Sequence, residues 1–113
     1  DYWQDFTNIV DLFNIDIKPM DVEYERKCGI IKSEIVLGFI EYVYKNKHVE
    51  ISHILIEGVN DNEECMSKLS DFLLNLDSNI GLHLLRHYPA WKSHYPVTKT
   101  ETLEYWGNWL RNK

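Results

Sequence analysis

Asp16 and Lys18 stand two residues apart at the end of a run rich in β-branched and aromatic types, Val10 to Ile17. A strand sends alternate side chains to the same face, so the two lie side by side. An acid and a base placed this way have two uses. They form a solvated ion pair of little worth, or they clamp a zwitterion, the carboxylate taking an ammonium and the lysine a carboxylate. A second group follows in VEISHILIEGVNDNEE, residues 49–64, where Glu50 and Ser52 share one strand face and His53 points to the other. The Ser52 hydroxyl can bond a ligand. Glu50 needs a partner or a proton if buried, and needs neither if it faces solvent. His53 reads as a structural histidine. A third group, His83, Arg86, His87 and Tyr88, sits at the end of another apolar run. Arg86 has two readings, holding a carboxylate or pairing with a local acid. Lys92 and His94 read as surface residues. No nucleophile elbow, HExxH or glycine-rich phosphate loop is present.

The elements that position these residues alternate. Tyr2 to Ile9 reads as a helix, with Trp3, Phe6 and Ile9 at helical spacing, and Val10 to Ile17 as a strand. Pro19 leads the chain out of the sheet. Asp21 caps a short helix to Cys28, and Gly29 stops it. Ser33 caps a helix to Asn46 with Val36, Leu37, Ile40, Val43 and Tyr44 on its apolar face. Val49 to Ile56 is a strand whose end, Ile54 to Ile56, suits burial on both faces. Gly58 ends it, and Asp61 with Glu64 makes an acidic capping box for a helix to Leu76. Ile80 to Leu85 is the third strand. Thr98 with Glu101 caps the last helix, whose buried stripe is Leu103, Trp106 and Leu110. Strand–helix repeated three times implies parallel strands with right-handed crossovers.

The bulk numbers narrow the class. The 113 residues fit one domain, and 44% hydrophobic content is that of a globular chain. A net charge of −6 argues against a nucleic-acid-binding face. No apolar run is long enough to span a bilayer. Cys28 and Cys65 are too few and too far apart for a zinc or iron–sulfur motif, and read as reduced thiols of a cytoplasmic protein. The chain starts without methionine, at what reads as a helix entering a strand, and is expected to be a piece of something longer.

The stretch SHILIEGVND resembles the "PGxND" junction of radical SAM enzymes, in the group of the pyruvate formate-lyase activating enzymes and the AmmeMemoRadiSam-system proteins. VDLFNIDIKPMD at 10–21, LHLLRHYPAWK at 82–92 and VTKTETLE at 97–104 agree with the same group in order and spacing. Glu57 stands where the group usually has proline. The CxxxCxxC motif is absent.

The resemblance implies an α/β fold, the C-terminal half of a partial (β/α) barrel with three parallel βα units. The half that carries the cluster cysteines would be missing. It implies an oxidoreductase that binds a [4Fe–4S] cluster and S-adenosylmethionine and uses a 5′-deoxyadenosyl radical for hydrogen abstraction. It assigns the cofactor to Asp16, Lys18, Ser52, Arg86 and Tyr88, the last standing where activating enzymes keep a histidine near the adenine. His83, Arg86 and Pro89 keep an "HLxRFxP" pattern of the group. Asp16, Lys18, Ser52 and Arg86 are expected to converge on one inner face at one end of the sheet. A glycyl radical enzyme is the protein substrate so implied. The alternative is a clusterless barrel half that docks on a partner and catalyses nothing. With two open sheet edges and a bare inner face, the piece alone is expected to self-associate.

Overall fold

The computed structural model describes residues 2–28, 32–90 and 92–113. Gly29, expected to stop the second helix, lies outside them. The elements are α1 (Tyr2–Ile9), β1 (Leu12–Ile17), α2 (Val22–Cys28), α3 (Ser33–Tyr44), β2 (His48–Leu55), α4 (Glu63–Leu76), β3 (Gly81–Arg86) and α5 (Thr100–Arg111). The three strands form one sheet in the order β1-β2-β3, and both pairings are parallel. The expected alternation of strands and helices is therefore the one observed.

One face of the sheet builds the core. Phe13, Ile15 and Ile17 of β1, Val49, Ile51 and Leu55 of β2, and Leu82 and Leu84 of β3 lie on it. Ile40 and Val43 of α3, Met66, Leu69 and Leu73 of α4, and Trp106 of α5 pack against them. Each set recurs at three or four residues, so each helix turns one apolar stripe inward. The Trp3 ring of α1 packs edge-on to Phe39 of α3, 5.4 Å between centroids. No helix among the described residues is long and apolar enough to cross a membrane.

The other face carries no helix stripe and is mostly polar. Asn14, Asp16, His48, Glu50, Ser52 and His83 lie on it by strand parity. By the same parity Leu12, Ile54 and Leu85 also lie there, so among the described residues this face is mixed, with polar groups in the majority.

Three helix caps differ from the sequence expectation. Asn62, not Asp61, caps α4: its side chain accepts from Cys65 N at 2.9 Å. Asp61 instead accepts from Gly58 N at 2.8 Å, closing the turn in which Gly58 takes φ +83°. Ser33 is the first residue of α3, and its hydroxyl donates to Glu25 of α2 instead of capping. Lys99 occupies the α5 cap position, two residues beyond Thr98 being the helix start. Asp21 caps α2 as expected, accepting from Tyr24 N at 2.8 Å.

Candidate functional site

The junction after β2 is held by two buried polar residues. His53 faces the core and is 1% exposed. Its Nδ1 lies 2.6 Å from the Ile17 carbonyl oxygen, which can only accept, so Nδ1 carries the proton. Nε2 is then an acceptor, and Asn60 Nδ2 donates to it at 2.9 Å. The same Asn60 donates to Ile54 O at 2.9 Å and accepts from Ile56 N at 2.8 Å. Burial pushes the His53 pKa down, against a smaller upward pull from the bond to Ile17 and the charge of Asp16. The histidine is structural, as its parity implied. Asn60 is more than a turn residue, since it ties the loop to the end of β2 and, through His53, to the end of β1.

On the open face, register places Asp16 beside Ser52 and Ser52 beside His83, one row across three strands. Lys18 Nζ donates to Asp16 Oδ2 at 2.5 Å, with both side chains partly in solvent. Ser52 donates to Asn14 Oδ1 at 2.9 Å across the β1–β2 pair. Glu50 stands one pair nearer the amino ends of the strands, its Oε1 3.5 Å from His48 Nε2 and its Oε2 3.5 Å from His83 Nε2.

Arg86 does not join this row, which corrects the expectation of a single converging site. It pairs with Leu55 in register and so lies on the helix-covered face. Its guanidinium donates to the Thr98 carbonyl and, at 2.9 Å, to Thr100 Oγ1 at the start of α5. It anchors that helix. Tyr88 lies just beyond β3 and is 66% exposed.

Two supports escaped the sequence reading. Glu57, in place of the usual proline, accepts from Lys99 N at 2.9 Å and from Thr102 Oγ1 at 2.8 Å. Those bonds hold its carboxyl below the usual range. Fully buried Thr98 donates to Leu55 O at 2.6 Å and accepts from His87 N at 2.9 Å. Aromatic rings also bridge the loops. Tyr95, between β3 and α5, lies 6.4 Å from Tyr24 of α2 and 6.2 Å from His87, centroid to centroid. Burial first, then Cys28 beside it, push the Tyr24 hydroxyl up to about 12.

The fit to the implied cofactors divides. A [4Fe–4S] cluster needs thiolates grouped around it. Here Cys28 is exposed and Cys65 buried, and no group of three or more metal-ligating side chains exists among the described residues. These residues do not fit the cluster. The opposed charges of Asp16 and Lys18 fit the methionyl end of S-adenosylmethionine, a carboxylate and an ammonium on one carbon.

Sequential parallel βα units, helices on one face and a polar inner face define part of an open (β/α) barrel, and the chain has the fold of radical SAM proteins. It superposes on a domain of pyruvate-formate lyase-activating enzyme from Bacteroides vulgatus with TM-score 0.71 and 20% identity, over 97% of this chain and 67% of that one. On a radical SAM methyltransferase from Sphaerobacter thermophilus the TM-score is 0.63 at 16% identity, over 98% and 34% of the two chains. In sequence, 65 residues are 34% identical to the choline trimethylamine-lyase activating enzyme of Oleidesulfovibrio alaskensis. They make up 57% of this chain, which spans only 21% of that relative. No protein-family model matches.

Proposed function

We propose that the chain is the C-terminal half of a radical SAM oxidoreductase of the activating-enzyme type, and that Asp16 and Lys18 hold the methionyl group of S-adenosylmethionine. The observation that carries this reading is the pair itself, opposite charges 2.5 Å apart on the uncovered polar face at the end of β1. On binding, the methionyl ammonium replaces Lys18 at Asp16, and the methionyl carboxylate replaces Asp16 at Lys18. Each charge keeps a partner throughout, so little desolvation is left uncompensated. Ser52, beside Asp16, adds a hydroxyl to the same wall. Tyr88, exposed past the end of β3, offers a ring face for the adenine.

When bound, the cofactor with its [4Fe–4S] cluster supplies the 5′-deoxyadenosyl radical for hydrogen abstraction, and the protein positions it. In this reading the cluster ligands belong to the other half of the barrel. The substrate is a glycyl radical enzyme, supported by the likeness to a curated activating enzyme. Two free thiols agree with a cytoplasmic setting.

Calorimetric titration of S-adenosylmethionine into the protein tests the site. A charge-assisted hydrogen bond is worth about 1.5–3 kcal/mol, so Asp16→Asn and Lys18→Met should each weaken binding roughly 10- to 100-fold. Wild-type affinity in both variants overturns the proposal.

A further inference from the structure

Glu50 is left over once Asp16, Lys18 and Ser52 are assigned. It lies in β2 opposite Asn14 of β1 and Gly81 of β3, on the open face. Two strand residues advance about 6.6 Å, so it stands that far below the Asp16–Ser52–His83 row. We infer that Glu50, with His48 and His83 on either side, forms a second subsite that takes an organic cation, an alkylammonium or guanidinium group of the substrate. The inference rests on the proposed function only in treating the open face as a ligand-binding wall.

Three observations support it. First, the carboxylate is underused. Its side chain is 37% exposed, and its two partners stand at 3.5 Å, the outer limit of hydrogen bonding. A carboxylate has about four lone-pair positions, so most of its acceptor capacity is open. Second, the charge on this face is uneven. Asp16 and Lys18 cancel each other at 2.5 Å, whereas Glu50 has no lysine or arginine among its ion-pair partners. Third, there is room beside it. Gly81 is its neighbour in register and carries no side chain. A Cβ built there would meet Glu50 Cγ at 3.8 Å, an ordinary contact, so any longer side chain at 81 would lie along Glu50.

The spacing of the acceptors decides the ligand class. His48 approaches Oε1 and His83 approaches Oε2, one at each oxygen. They flank the carboxylate instead of converging on a point, and no three-ligand metal group exists among the described residues. Spread acceptors suit a cation with several diverging donors. An ammonium has three and a guanidinium five. Glu50 supplies the charge and the open lone pairs, while each imidazole turns Nε2 to a carboxylate oxygen that can only accept and so holds the carboxylate in place.

The test follows the ring signals of His48 and His83 and the amide signals of Glu50 and Gly81 by NMR. The probes are the amides of N-acetyl-arginine and N-acetyl-lysine, with neutral N-acetyl-glutamine amide as control. The expected result is saturable shifts with both cations and none with the neutral probe. Glu50→Gln should weaken cation binding at least about tenfold. Gly81→Val, which fills the space and keeps the charge, should weaken it as well. Equal response to the neutral probe, no response at all, or unchanged affinity in Glu50→Gln overturns the inference. S-adenosylmethionine binding on the same sample reports separately on Asp16 and Lys18. If it persists without a cation response, the second subsite alone is lost.

Discussion

Asn60 donates through Nδ2 to His53 Nε2 at 2.9 Å, and both side chains are buried. With Nδ1 protonated toward the Ile17 carbonyl, this bond satisfies the other ring nitrogen, and the remaining bonds of Asn60 close the turn after β2. Removing it strands more than one polar group. Asn60→Ala leaves Ile56 N–H, Ile54 C=O and His53 Nε2 without their partner. An unsatisfied buried group costs about 1–3 kcal/mol. The variant should lose several degrees of melting temperature, with a drop of roughly 4–8 °C for each kcal/mol in a small domain. An unchanged thermal transition would show that water or a rearranged loop satisfies those groups.

His53 also gives the fold an acid-sensitive point. Its pKa is lowered in the folded state, chiefly by burial. The unfolded chain therefore takes up the proton first. The stability His53 contributes is complete above the unfolded value, about 6.5, and is lost as pH falls from there toward the folded value. Chemical denaturation near pH 7.5 and near pH 5.5 should show the wild type losing more stability than His53→Gln over that interval. Equal losses in the two proteins would mean that other groups carry the dependence.

Arg86 and the Asp16–Lys18 pair should separate in their effects. Arg86→Ala removes two bonds to the start of α5, and charged hydrogen bonds contribute about 1.5–3 kcal/mol. Stability should fall while S-adenosylmethionine affinity holds in the folded fraction. Asp16→Asn should show the reverse. A loss of affinity in Arg86→Ala at full stability would return the arginine to the ligand site.

Glu57, just beyond the end of β2, caps α5 by accepting from Lys99 N and Thr102 Oγ1. Glu57→Gln keeps the shape and weakens the acceptor. Amide hydrogen exchange at Lys99 to Thr102 should quicken, with that of α4 unaffected. Exchange unaltered in the first turn of α5 would show the cap to be idle.

Self-association is the expectation for the chain alone, now for a narrower reason. The open face is mostly polar, with Ser52 already bonded to Asn14 and only Leu12 and Leu85 as exposed large apolar groups on it, so two such faces gain little by meeting. Among the described residues the outer edges of β1 and β3 have no partner strand, and unpaired edges template strand addition. Sedimentation velocity at several concentrations should show association that Leu85→Lys on β3 reduces. A monomer at all concentrations would remove the expectation.

The sequence showed the fold more clearly than the site. Period-2 facing separated His53 from Ser52 correctly, because a buried parallel strand imposes a strict alternation. The same rule puts Arg86 with Leu82 and Leu84. Its misplacement came from following a loop pattern in place of the parity of β3. Asn60, Asp61 and Asn62 are three consecutive residues of nearly equal turn chemistry. Only tertiary contact decides which caps, which closes the turn and which is buried. Glu57 and Thr98 were illegible for a related reason. Their partners lie about forty residues away, at Lys99 and Leu55, and no local spacing rule reaches that far.

The loop between β3 and α5 is fastened at its base. Thr98 N donates to His87 O at 3.1 Å, and Thr98 Oγ1 accepts from His87 N. His87 and Thr98 therefore stay in register across the base of the loop. Closing a longer loop costs only about 0.6 kcal/mol for each doubling of length. Lengthening the span from Tyr88 to Val97, which includes the tyrosine proposed for the adenine, should therefore leave the bonds between His87 and Thr98 in place. If the proposed function holds, that span is where selectivity could be changed while the strand and helix it joins keep their places.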